Sequence, residues 1–223
     1  MLYWVDISGQ AVFSADASSE EIISLTLEQP VTAVLPEASG GLVVSCGTSL
    51  IYLKPDFSGL RPSALVEPYH PRRRCNSGGV DPTGFFWMGV MDSEAACGEG
   101  CLYRINPGTS HAELVLDKLA LPNGMGWSSD GRTFFLVDSI KRTVAAYDFE
   151  PAAGQLLNRR VVVKVPDSMG LTAWRHPWQH WNGDVGYQRV RPGDSCRTHS
   201  FCHRRESNDA DRPKGRSLYL SGD

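Results

Sequence analysis

A short apolar and aromatic segment recurs along this chain at a nearly constant interval, and that recurrence constrains the fold more than any other feature. Leu2-Tyr3-Trp4-Val5-Asp6, Gly41-Leu42-Val43-Val44, Phe85-Phe86-Trp87-Met88-Gly89, Phe134-Phe135-Leu136-Val137-Asp138 and Ser217-Leu218-Tyr219-Leu220 are clear copies. Pro177-Trp178-Gln179-His180-Trp181 is a weaker one. With Tyr3, Leu42, Phe86, Phe135, Trp178 and Tyr219 as markers, the intervals are 39, 44, 49, 43 and 41 residues. A repeat of about 40–50 residues, with room for four short strands, is the arithmetic of a propeller blade. The chain therefore reads as all-β, a six-bladed β-propeller forming one domain over residues 1–223. Six full blades need roughly 270 residues. The outermost markers lie at the two ends of the sequence, so the first and last blades are expected to be incomplete. Ser18–Leu27 is the one stretch that suits a helix, and its Ile, Leu and Thr suit a strand as well.

Composition excludes several classes. Hydrophobic residues make up 41% and charged residues 21%, which is globular rather than disordered. Twenty-two Lys and Arg against 25 Asp and Glu leave a formal charge of −3, without the basic excess that phosphate-backbone binding requires. A nucleic-acid partner is not expected. The longest apolar runs are strand-sized pieces such as Thr133–Val137, so no membrane span is expected either. Met1 leads directly into the first repeat with no basic n-region, and six Cys are too sparse for a disulfide scaffold. Both point to a reducing cytoplasm.

One segment departs from the pattern. From Thr172 to Arg216 there is no Leu, Ile or Met, while Arg and His accumulate. Too little apolar area is present there for a strand packed on a propeller core. A locally shifted reading frame accounts for such a segment, and a long inserted loop is the competing account. It also holds His176, His180, Cys196, His199, Cys202 and His203, residue types that ligate zinc. Pro177 breaks the helical turn that would pair the first two, and the remaining spacing matches no defined ligand pattern. Cys97 and Cys101 read as reduced loop cysteines.

Three further stretches carry chemistry. They are Arg74-Cys75-Asn76-Ser77-Gly78-Gly79-Val80-Asp81-Pro82-Thr83-Gly84, Leu121-Pro122-Asn123-Gly124-Met125-Gly126-Trp127, and Val165-Pro166-Asp167-Ser168-Met169. Singly, each has a plain structural explanation. Asn123-Gly124 is a tight-turn dipeptide, Asp167 organises a turn after Pro166, and Arg74 belongs to an Arg72-Arg73-Arg74 run suited to a solvated loop. In their order and spacing, together with Leu2–Ile7 and Tyr147-Asp148-Phe149, they resemble the senescence marker protein/gluconolactonase family, the regucalcin-like propellers.

That resemblance implies a divalent metal in the central channel and a small-molecule sugar lactone as substrate. It makes Asn123 and Asp167 metal ligands, with Asp167 also the general base. Arg74 and Asn76 would hold substrate oxygens, and Glu94 would accept from substrate hydroxyls. Oxygen ligands suit Ca²⁺ first, and Zn²⁺, Mn²⁺ or Mg²⁺ are also compatible. The family's third ligand, a Glu before the first strand, has no counterpart in the sequence. Ser77 stands where the family has Asp, and Ser168 where it has Gly. Asp138 is not expected to be a ligand, because the same strand-end Asp recurs at Asp6 and fits a turn. The functional expectation is metal-dependent lactone hydrolysis, diminished in this chain. The alternative is a non-catalytic calcium-binding propeller. Nothing in the sequence indicates a protein partner.

Overall fold

Successive sheets in this protein bury their faces against one another. The computed structural model describes residues 1–16, 21–37, 39–94, 98–166, 171–173 and 186–188. They form strands only, without helix. The first sheet orders β1 (Leu2–Asp6), β2 (Ala11–Ala15) and β3 (Ile22–Thr26). The second contains β4 (Val34–Pro36), β5 (Leu42–Cys46), β6 (Ser49–Leu53) and β7 (Arg61–Leu65). The third contains β8 (Arg73–Val80), β9 (Phe86–Asp92), β10 (Gly100–Ile105) and β11 (Ala112–Leu119). The fourth contains β12 (Pro122–Trp127), β13 (Thr133–Asp138), β14 (Thr143–Glu150) and β15 (Gln155–Lys164). A two-stranded pair, β16 (Leu171–Ala173) and β17 (Gly186–Gln188), follows beside β12 and β13.

Every neighbour in these sheets is antiparallel and consecutive in sequence. Each sheet is thus a meander, the unit of a propeller blade. The repeat markers Leu42, Phe86 and Phe135 fall on β5, β9 and β13, the strand next to the first in each four-stranded sheet, and Tyr3 falls on β1, the first strand of the three-stranded sheet. Among the described residues the first sheet has three strands. Ile22–Thr26, inside the helix-compatible stretch, is the strand β3. Its residues alternate exposed and half-buried, a period of two that a helix cannot match. The markers Trp178 and Tyr219 and the Cys/His constellation of 176–203 lie outside the described residues. Gly186–Gln188 of the low-aliphatic segment nonetheless pairs as β17 with Leu171–Ala173.

Strand alternation explains the packing. On β9, Phe86, Met88 and Val90 join Val43, Leu50 and Cys75 in the core between the second and third blades. Trp87, on the opposite face, joins Leu102, Met125, Phe134 and Phe149 between the third and fourth. On β5, Leu42 and Val44 instead meet Val5, Val12 and Val31 of the first blade side. β9 is therefore buried along its whole length, whereas β15 is largely exposed. Trp87, Trp127, Phe134 and Phe149 form one aromatic cluster with centroids 5.0–6.0 Å apart. Such tilted and edge contacts add to the area they bury.

A buried ion pair locks the far end of the same interface. Asp81 accepts hydrogen bonds from the Thr83 and Phe85 N–H groups at 2.8 and 3.1 Å and from Trp87 Nε1 at 2.9 Å. Arg104 Nε reaches it at 3.2 Å, and Arg104 Nη2 continues to the Pro151 carbonyl of the next blade at 3.3 Å. Gly154 is needed there: its φ is +68°, and a Cβ would collide with the Arg104 guanidinium. Among the described residues no helix is long and apolar enough to cross a membrane.

Phe134→Ala should cost about 3–5 kcal/mol, because it empties a fully buried aromatic site. Val162→Thr on exposed β15 should change stability by less than about 0.5 kcal/mol. Urea melts of the two variants measure the contrast.

Candidate site at the inner strands

The innermost strands β8 and β12 begin at the same end of the molecule, and both are irregular at their starts. Pairing of β8 with β9 shifts register between Cys75 and Gly78. Pairing of β12 with β13 shifts between Pro122 and Met125. Irregularities of this kind re-aim side chains that a regular pleat would send into the sheet-to-sheet core. Gly124 takes φ +120°, a conformation open to Gly and strained for other residues. Asn76 and Asn123 are the residues these shifts redirect.

They meet across the two blades. Arg74 Nη1 donates to Asn76 Oδ1 at 3.0 Å and to the Cys75 carbonyl at 2.9 Å. Asn76 Nδ2 donates to the Pro122 carbonyl at 2.9 Å and to Asn123 Oδ1 at 3.3 Å. Asn123 Nδ2 in turn donates to Ser139 Oγ at 3.0 Å. The bonds run in one direction, Arg74 to Asn76 to Asn123 to Ser139, which fixes both amide orientations. Asn76 and Asn123 are 4% and 6% exposed, so the network lies in a medium where polar partners count for more than in water.

Ser77, the residue that departs from the family pattern, has a defined task. Its Oγ donates to the Pro122 carbonyl at 3.2 Å and accepts the Gly124 N–H at 2.7 Å. A hydroxyl can do both, whereas an ionised carboxylate only accepts. Cys75, between Arg74 and Asn76, faces the core and is fully buried. Burial pushes its thiol far above the ordinary range, so it stays a neutral S–H and is no nucleophile. Burial likewise raises the thiols of Cys46 and Cys101.

Asp138 behaves as the turn device expected. It accepts the Ala120 and Leu121 N–H groups at 2.8 and 3.1 Å and the Lys141 N–H at 3.2 Å. Asp6 does the same for Gly9 at 2.8 Å, and Asp92 for Glu94 at 2.9 Å. A strand-end Asp thus caps the turn that follows β1, β9 and β13. In the fourth blade it also holds the loop that delivers Asn123 and places Ser139 beside it.

Glu94 lies on the neighbouring turn, 71% exposed, with Oε2 3.1 Å from Arg72 Nη1. The structure therefore joins Arg74, Asn76 and Asn123 and sets Glu94 against Arg72. Asp167 lies outside the described residues. Sequence reasoning missed Ser139 and Arg72. Ser139 was signalled by its place directly after a recurring strand-end Asp, and Arg72 by the arginine run.

The fit to a divalent cation can be tested on the donors present. A carbonyl oxygen has two lone pairs, and the Asn76 hydrogen bond takes one at Asn123 Oδ1. The oxygen suits a hard cation as one neutral ligand. Among the described residues no group of three or more His, Cys, Asp or Glu converges as a metal site.

Comparison with known proteins identifies the family and the fold. The family model described as SMP-30/Gluconolactonase/LRE-like region matches residues 1–194, and the chain belongs to that family. Bovine (Bos taurus) regucalcin is 32% identical over 188 residues, covering 79% of this chain and 62% of that protein. Chicken (Gallus gallus) regucalcin is 34% identical over the same shares. The chain thus spans 62% of the length of these curated relatives. A luciferin-regenerating enzyme superposes with a TM-score of 0.70 at 24% identity, over 76% of this chain and 59% of the other. The calcium-binding protein regucalcin from Agrobacterium tumefaciens gives 0.70 at 20% identity, over 77% and 58%. The fold is that of the regucalcin-like β-propellers.

Asp138→Ala should destabilise the protein by about 2–4 kcal/mol, since it leaves the Ala120, Leu121 and Lys141 N–H groups without this acceptor. A thermal melt, with hydrogen exchange at Ala120 and Leu121, reads both consequences.

Proposed function

We propose that this protein is a divalent-cation-dependent hydrolase of sugar lactones, with its site where Arg74, Asn76 and Asn123 converge. The observation that carries the reading is the hydrogen-bonded contact of Asn76 with Asn123 across two blades, at paired irregularities of the innermost strands. Family membership supports the same assignment.

The reaction adds water to the lactone carbonyl and breaks the ring C–O bond, giving a hydroxy acid. Arg74 and Asn76 would donate to the oxygens of the sugar ring and hold it in register, the contribution that orientation makes to rate. Asp167 would take the proton of the attacking water and return it to the departing ring oxygen. Glu94 would accept from substrate hydroxyls. Asn123 Oδ1 and Asp167 would hold a divalent cation, Ca²⁺, Zn²⁺, Mn²⁺ or Mg²⁺, which when bound polarises the carbonyl and lowers the pKa of water.

A second reading is a calcium-binding propeller without turnover. It is favoured by the Asn123 amide oxygen, a neutral ligand that suits a hard cation, with the Glu94 carboxylate engaged by Arg72. Hydrolysis of gluconolactone, followed with a pH indicator in Ca²⁺, Mn²⁺, Zn²⁺ or Mg²⁺, separates the two. The lactonase reading expects turnover in at least one metal, with Asp167→Ala lowering kcat by about 10²–10⁴-fold. It also expects a metal-raised melting temperature, by linkage. A melting temperature raised by Ca²⁺ without turnover in any metal would instead support the binding protein.

A further inference from the structure

A second feature lies beside Arg74 at the same end of the molecule. The segment leading into β8 leaves a cavity of about 100 Å³, faced by Gln29, Tyr69, His70, Arg72, Arg74 and Ser93. Among the described residues, none lining it is acidic. Arg73, in the middle of the run, is committed to Glu67 and to the Glu99 carbonyl. The Arg72 N–H donates to His70 Nδ1 at 3.2 Å, which leaves Nε2–H as the donor of that ring.

Arg72 has two carboxylates near it, and they differ in kind. Asp92 is 2% exposed and lies 3.5 Å from Nε, with its own Oδ1 accepting the Glu94 N–H. Glu94 is solvated, and an exposed ion pair of this sort is weak and readily exchanged for another anion. An arginine anchored on one side by a buried Asp and on the other by an exchangeable Glu, beside an acid-free cavity, is suited to receive an anion.

We infer that this cavity is a subsite for an anionic substituent, a carboxylate or a phosphate, carried by the sugar lactone. The inference rests on the lactonase reading and deepens it. The incoming anion takes the Arg72 guanidinium and the His70 Nε2–H, and in doing so releases Glu94 to accept from the sugar hydroxyls. A neutral lactone leaves Glu94 paired with Arg72. The subsite thereby ties recognition of charge to the freeing of a carboxylate that recognises hydroxyls.

The test compares kcat/KM for gluconolactone, for the monolactone of glucaric acid and for 6-phosphogluconolactone, in the unmodified protein and in Arg72→Gln. At least a tenfold preference for one of the acidic lactones is expected, and which one it is assigns the anion as carboxylate or phosphate. Arg72→Gln should bring the acidic-to-neutral ratio close to one while lowering KM for the neutral lactone. A ratio near one in the unmodified protein, or a ratio unchanged in Arg72→Gln, overturns the inference and leaves lactone hydrolysis standing. If no lactone is hydrolysed, the lactonase reading fails separately, and the cavity is decided by calorimetry with the non-reacting glucarate and the neutral polyol glucitol. Glucarate binding at least tenfold tighter than glucitol, and losing that margin in Arg72→Gln, supports the anion subsite. Equal affinities overturn it.

Discussion

Trp87 faces one blade and Phe86 and Met88 the other, and the same division runs through β5. Each central strand is apolar on both sides, so a blade has no way to bury itself except between two neighbours. This sheet-to-sheet packing is the constraint on which the rest of the structure depends. Hydrogen bonding within a blade satisfies the backbone, but the apolar area leaves water only when the next blade arrives. The buried Asp81–Arg104 pair adds direction to that packing, because Arg104 reaches over the interface to Pro151. A buried pair of this kind contributes more to a unique arrangement than to net stability, since desolvation offsets much of its attraction.

The candidate site follows from the same constraint. Once the blades are fixed, β8 and β12 lie next to one another, and residues 47 positions apart in the sequence come within hydrogen-bond distance. Register shifts turn Asn76 and Asn123 out of the core pattern at the point where the strands begin. Ser77 and Asp138 then hold the two backbones in place, one by bridging Pro122 and Gly124, the other by capping the loop before β12. Their task is to position, and Arg74, Asn76 and the Asn123 oxygen are the groups that they bring together.

Electrostatics at this end are divided between buried and solvated carboxylates. Asp92 and Asp138 are nearly inaccessible and occupied with backbone N–H groups. The Glu94 carboxylate is exposed and pairs with Arg72. A carboxylate that is free to exchange partners is suited to recognition, whereas one that caps a turn is not.

Much of this was legible in the residues. The spacing of apolar-aromatic copies placed the second strand of three blades and the first strand of the chain, because a β meander forces a fixed length between equivalent strands. Arg74, Asn76 and Asn123 stood out by motif, and Asp138 was recognised as a turn residue from its recurrence at Asp6. Residue order alone could not show that Glu94 pairs with Arg72, that Ser139 orients the Asn123 amide, or that Ser77 must both donate and accept. Those are contacts between blades or between neighbouring turns, set by how far each sheet is rotated against the next. The sequence by itself determined the strands, their periodicity and the residue types available at the inner edge. Only the tertiary structure decided which of them meet, because hydrogen bonds are resolved over tenths of an ångström and the repeat pattern fixes position only to within a few residues.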